Sequence, residues 1–171
     1  MLLTVLLVHG IKESARANDI MVIVKIAAIL IFIVGASRMI VPDNYVPFMP
    51  NGYSGVLTGA AIVFFTYIGF DSVSTAAEEC KNPQRDMPIG ILGTLAVCSV
   101  LYIGVAIVLT GIAPWRTLNN AAPVVGALKA LNMNTLWKWV DIGALGGMIS
   151  SLLVFQYGQA RVWFAMSRDG L

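Results

Sequence analysis

The sequence predicts an all-α membrane protein with several bilayer crossings, and three observations carry the prediction. Of the 171 residues, 58% are hydrophobic and only 12% are charged, whereas a soluble domain carries about a quarter charged residues. The mean hydropathy is +0.81. The apolar residues also collect into runs, and the run from Met87 to Trp115 holds no charged residue. A helix needs roughly 20 apolar residues to cross a bilayer, so that run spans even when tilted. Finally, the runs are separated by clusters of proline, glycine and charge, which break helices for stated stereochemical reasons.

Taken in order, Met1–Val8 is apolar but lacks a positive leading region and a small-residue cleavage site. It reads as the end of a preceding span rather than a signal peptide. Four spans follow, at about 19–41, 53–78, 88–113 and 136–166. Pro42, Pro47, Pro50 and Gly52 interrupt the chain between the first two. Between the second and third lies Lys81-Asn82-Pro83-Gln84-Arg85-Asp86-Met87-Pro88. There Asp86 is expected to cap the next helix and Pro88 to sit in its first turn, where a missing N–H costs nothing. The longer connection from Pro114 to Asn134 contains Ala122–Leu131, helical in composition and expected to lie along the surface.

Lysine and arginine set orientation. One side would hold Lys12, Arg16, Lys81, Arg85, Arg161 and Arg168, and the other Arg38, Arg116, Lys129 and Lys138. The bias favours cytoplasmic placement of Gly10–Asn18 and Lys81–Met87.

Several classes of function are disfavoured. A net charge of +2 without a basic cluster gives nucleic acid no footprint. Cys80 and Cys98 form no disulfide framework and read as unpaired thiols. His9 stands alone, and no metal spacing, phosphate-cradling glycine loop or Ser/His/Asp arrangement is present. The chain reads as a non-enzyme needing no cofactor.

Charges inside spans are costly, so each is a functional hypothesis. Lys25 lies in Val22-Ile23-Val24-Lys25-Ile26-Ala27. It either lifts its ammonium to the headgroups or serves as a proton-sensitive amine, since burial disfavours the charged form of an amine in general. Asp71 follows Phe65-Thr66-Tyr67-Ile68-Gly69-Phe70 and precedes Ser72, Ser74 and Thr75. Glycine and hydroxyl side chains weaken a continuous helix. This run is therefore either a small polar packing face or a break at membrane depth, whose unwound backbone suits a zwitterion. Gly55-xxx-Gly59 and Gly143-xxx-Gly147 read as close-packing faces. Ser150 and Ser151 line a cation site or bond within their own helix.

Phe65-Thr66-Tyr67-Ile68-Gly69-Phe70-Asp71, then Ala77-Glu78-Glu79 and the Lys81–Pro88 run, closely resembles the amino acid–polyamine–organocation superfamily. The likeness is greatest to bacterial permeases similar to cationic amino acid transporters. Gly10–Arg16 and Arg168-Asp169-Gly170-Leu171 fit the same branch, so the resemblance covers essentially the whole chain. It implies a fragment of a fold built of two inverted five-helix repeats, with helix 6 broken. Met1–Val8 would end helix 4, and the four spans would be helices 5 to 8. Helices 1–3 and 9 onward would then be missing partners, and the piece alone would not transport.

By the same resemblance, Phe65 closes over the substrate, and main-chain groups around Phe65, Thr66, Ile68 and Gly69 hold its amino group. Asp71 is the acidic residue after the break, and Lys25 is the helix 5 lysine that replaces a sodium ion in proton-coupled members. The expected activity is secondary-active, proton-coupled amino-acid transport. The expected partners are amino-acid substrate, protons and the lipid bilayer, in a multi-pass cell-membrane protein. A non-transporting membrane scaffold and a small channel subunit are the rivals; the break around Gly69 argues against both.

Overall fold

The computed structural model describes residues 11–69, 82–168 and 170; the side chains of residues 11–17 and Ala165 lie outside that description. Met1–Val8, Asp71 and Lys81 also fall outside it. The described residues form five α-helices and three short 3-10 turns, with no strand among them. Helix α1 covers Ile11–Ser37, α2 Gly52–Phe64, α3 Pro83–Ile112, α4 Pro123–Ala130 and α5 Asn134–Arg168. Within α1 the segment Asn18–Ser37, at 20 residues, is long and apolar enough to cross a membrane; α3 and α5, of 30 and 35 residues, are as well. At 1.5 Å per residue, 20 residues cover the ~30 Å hydrocarbon core.

The helix boundaries depart from the sequence reading in instructive ways. Helix α1 already covers Ile11, the first described residue, so most of the expected Gly10–Asn18 loop is helical. Polar residues such as Lys12 and Glu13 are good helix formers, and they carry the helix beyond its apolar part. It stops at Ser37 rather than at residue 41, because Val41 before Pro42 is extended (φ −107°, ψ 113°), the conformation a following proline imposes. Helix α3 begins at Pro83, with the amides of Arg85 and Asp86 both reaching the Asn82 carbonyl, at 3.1 and 2.9 Å. Pro83, not Pro88, takes the first-turn position. Asp86 lies in the first turn, near the positive end of the helix dipole, and Pro88 falls inside the helix.

Lateral order follows from close contacts. Helix α5 runs antiparallel to α1: a methyl added at Gly143 would collide with Ala28, and one at Gly35 would lie 3.2 Å from Leu136. The Gly143-xxx-Gly147 face thus permits the backbones to approach, as small residues do between membrane helices. Gly104 gives α3 the same freedom against Ile33 of α1, at 3.0 Å. Gly59 of the other small-residue pair has no described neighbour within 4 Å.

The buried core gathers Phe32 and Ala36 of α1, Val108 and Ile112 of α3, Ala113, and Ala127 and Leu128 of α4. Helix α4 buries one face there and leaves Gly126, Lys129 and Ala130 exposed, as a helix lying along the surface does. Leu128 is 0% exposed, because the short helix inserts between the ends of α1, α3 and α5.

A strap closes the same end of the bundle. The amide of Val41 and the Nδ2 of Asn44 both donate to the Gly111 carbonyl, at 3.0 and 2.8 Å. The Tyr45 hydroxyl donates to the Ile107 carbonyl at 2.8 Å. These bonds satisfy a carbonyl in the last turn of α3 that has no partner within the helix. A methyl at Gly111 would meet the Tyr45 hydroxyl, so glycine is what lets the strap lie this close.

Candidate functional site

The second expected span does not continue as one helix. Helix α2 ends at Phe64, and the chain tightens into a 3-10 turn over Phe65–Tyr67. Ile68 then becomes extended (ψ 131°) and Gly69 takes φ +121°, a region open to glycine and rarely to other residues. The turn is stitched locally: the Phe65 amide reaches the Ile62 and Val63 carbonyls. Thr66 Oγ1 donates to the Val63 carbonyl at 2.6 Å, and the Ile68 amide to the Phe65 carbonyl at 3.3 Å.

Helix α3 holds this turn from the side. The Tyr102 hydroxyl donates to the Thr66 carbonyl at 3.3 Å, and the Tyr67 hydroxyl shares a hydrogen bond with Ser99 Oγ at 3.1 Å. The Tyr67 and Tyr102 rings meet edge to face, with centroids 5.2 Å apart and planes at 77°. From α5, Phe155 Cζ lies 3.7 Å from the position of a Gly69 Cβ. Phe65 is 68% exposed and packs edge-on to Phe64, centroids 6.3 Å apart. Much of α2 is likewise uncovered, with Tyr53, Val56, Leu57, Ile62 and Val63 all exposed.

Lys25 stands elsewhere. It is half-buried on the face of α1 that meets α5, its Cβ and Cδ each 3.8 Å from a Cβ position at Gly147. Together with Phe32, Val124, Asp141, Ala144 and Met148 it lines a cavity of about 450 Å³, to which none of Phe65, Thr66, Ile68 or Gly69 contributes. Among the described residues it makes no hydrogen bond or ion pair. The structure therefore brings Phe65, Thr66, Ile68 and Gly69 together as one unwound turn, and sets Lys25 in a separate cavity whose wall also includes Asp141.

The two serines are both engaged. Ser150 is 1% exposed and donates to Asn18 Oδ1 of α1 at 2.8 Å. Ser151 bonds back to the Gly147 carbonyl at 2.9 Å, the intrahelical alternative that the sequence left open.

Reading the sequence missed Asp141, Tyr102, Ser99 and Asn18. Asp141 carried a usable signal, a charge within an apolar run. The others gave none, because hydroxyl and amide side chains in spans serve packing as often as sites.

Residues 1–171 match the family described as amino acid permease. Over 172 residues the chain is 50% identical to the branched-chain amino acid permease BcaP of Bacillus subtilis (strain 168), covering 100% of this chain and 37% of that protein. It is 49% identical over 171 residues to the methylthioribose transporter of the same organism, with the same coverage of 100% and 37%. The cationic amino acid transporter 9, chloroplastic, of Arabidopsis thaliana is 46% identical over 170 residues, or 99% of this chain and 30% of that protein. The chain thus spans about a third of the length of the curated relatives it matches. With membrane-length helices and a match along its whole length, this multi-pass α-helical chain belongs to the amino acid permease family.

Proposed function

We propose that this chain is part of a secondary-active permease that carries amino acids across the cell membrane by proton-coupled alternating access. The observation that carries the reading is the unwound turn at Phe65–Gly69 that ends the apolar helix α2. Irregular backbone at membrane depth is tolerated where it lines a cavity or is buried in protein, and broken helices are where transporters bind their cargo. Here the turn offers main-chain groups to the substrate's ammonium, and the exposed Phe65 ring closes over it. Asp71, just beyond, adds an acidic group. Helices outside these residues, 1–3 and 9 onward of the same permease, complete the site.

Lys25 is the coupling residue in this reading. An ammonium between α1 and α5 supplies a fixed positive charge without sodium, and losing its proton removes that charge. A switch of a few kcal/mol suffices to redistribute two conformations. Asp141 lines the same cavity. On α5, Ser150 donates to Asn18 and Ser151 to its own helix, bonds that favour a packing role over a cation site. The bundle end carrying Arg85, Arg161 and Arg168 is the cytoplasmic one, in line with the positive-inside rule.

A second reading concerns the cargo. One relative of 49% identity is named for methylthioribose, a compound with neither ammonium nor carboxylate, so a neutral thioether sugar belongs in any test. The test is uptake of labelled amino acids and methylthioribose into vesicles holding the full-length permease that contains this segment. It is run with and without an inward proton gradient, with Lys25→Ala alongside. Gradient-stimulated amino-acid uptake that collapses in Lys25→Ala is the expected result. Uptake of methylthioribose alone would reassign the cargo, and uptake of neither from folded protein would favour the scaffold.

A further inference from the structure

The geometry points to Ser99 and Tyr102 of α3 as positioning residues for substrate recognition: together they clamp the unwound turn so that the Thr66 carbonyl is aimed at the substrate's ammonium. The inference rests on the proposed amino-acid site, and adds to it two residues on a helix that supplies none of the binding groups named above.

Ser99 and Tyr102 are three residues apart, one turn of α3, and so share a face. That face meets the 3-10 turn at two consecutive residues. Tyr102 bonds the main chain of Thr66 at 3.3 Å, and Ser99 bonds the side chain of Tyr67 at 3.1 Å. The edge-to-face contact of Tyr67 with Tyr102, at 5.2 Å between centroids, closes the clamp. Each bond spans more than 30 residues of sequence, at separations of 36 and 32, so neither is a product of local turn formation.

A carbonyl oxygen has two acceptor lone pairs. Tyr102 occupies one at Thr66, which fixes the orientation of the peptide and leaves the other for an incoming donor. The 3.3 Å separation is long for an O–H···O bond, which suits a contact that must adjust as cargo arrives. A purely structural role is the competing explanation, because an unsatisfied carbonyl in a bilayer is expensive and Tyr102 would relieve that cost whatever bound nearby. The two explanations differ in what they do to recognition. Satisfying a carbonyl stabilises the fold and is indifferent to the cargo's chemistry, whereas aiming a carbonyl acts only on cargo that carries an ammonium.

The experiment uses the full-length permease containing this segment, reconstituted in vesicles, with Tyr102→Phe and Ser99→Ala. Tyr102→Phe keeps the ring contact and deletes only the donor. Initial rates are measured against concentration for the best amino-acid substrate, and inhibition is measured with its α-hydroxy analogue, which has a hydroxyl in place of the ammonium. The expected result for Tyr102→Phe is a KM raised about three- to tenfold with the maximal rate per inserted protein kept. The preference for the amino acid over the analogue should shrink by a similar factor, and Ser99→Ala should shift both the same way by less. A KM unchanged in both variants while the maximal rate or melting temperature falls would overturn the inference, as would equal weakening of amino acid and analogue. If the unsubstituted permease takes up no amino acid at all, the function reading fails first and the clamp's role in recognition goes with it. A transporting parent whose KM is indifferent to Tyr102→Phe sinks the clamp alone.

Discussion

Gly143→Ala tests the joint that holds α1 and α5 together. The added methyl would occupy the space of the Ala28 side chain, so one helix must shift or the contact must open. Overpacking of this kind costs about 1–3 kcal/mol, partly offset by the ~1 kcal/mol by which alanine outperforms glycine in a helix interior. Ala28→Gly removes the other methyl and alone destabilises by about 1 kcal/mol through the same propensity. In the double variant the space is restored. Its stability loss should therefore be smaller than the sum of the single losses by about 1–3 kcal/mol, well above the 0.3–0.5 kcal/mol at which independent sites add. The measurement is the unfolding midpoint of the four proteins (parent, two singles, double) in detergent titrated with sodium dodecyl sulfate. Additivity within that margin would refute the reasoning, since it would mean that Gly143 and Ala28 do not share a volume. The joint matters for function because Gly143 and Ala28 also border the Lys25 cavity. A parted α1–α5 pair should depress gradient-stimulated uptake, and the double variant should recover it.

Three further substitutions have outcomes set by local geometry. Gly69→Ala places a side chain at φ +121°, a strain of about 1–3 kcal/mol at the unwound turn; vesicle uptake should fall severalfold or more and the detergent unfolding midpoint should drop with it. Asn44→Ala removes one of the two donors on the Gly111 carbonyl, worth about 0.5–1.5 kcal/mol, and a thermal melt should show a lowered midpoint. Gly111→Ala should lower it further, because its methyl displaces the Tyr45 hydroxyl as well.

Much of the fold was legible because a bilayer leaves few options. Long apolar runs must be helices, and the runs around Lys25, Cys98 and Ser150 are helical in the structure. The break was legible for a different reason. Gly69 offered a residue able to take positive φ, and the nearby hydroxyls offered the backbone alternatives to helix; the chain unwinds there. The extent to which α4 is covered was not legible in Pro123–Ala130 alone. Only the positions of α1, α3 and α5 decide that Leu128 is fully buried. The clamp escaped for the same kind of reason: a tyrosine in an apolar run does not announce a carbonyl 36 residues away. Ser150 was read as a cation ligand or an intrahelical donor, and its partner Asn18 lies 132 residues earlier, beyond any local pattern. Asp141 was legible in the sequence. A carboxylate among Val140, Ile142 and Ala144 breaks the apolar rule as plainly as Lys25 does.

The contacts on α3 also bear on how the broken helix would move. The strap at Val41–Tyr45 precedes α2 in the chain and is fastened to Ile107 and Gly111. The clamp at Thr66 and Tyr67 follows α2 and is fastened to Ser99 and Tyr102. Helix α2 is thus tied to α3 ahead of its start and just past its end, while large apolar side chains along its body stay exposed. Helices α1 and α5 are joined separately, by the glycine contact at Ala28 and the Ser150–Asn18 bond. In a cycle of the kind proposed, displacing the unwound turn past α1 and α5 therefore carries α3 with it, or breaks hydrogen bonds of about 1 kcal/mol each. The first course must also shear the core that Phe32 and Ala36 share with Val108 and Ile112. Gly104, the smallest possible residue where α3 passes Ile33, lies on the surface across which that motion would slide.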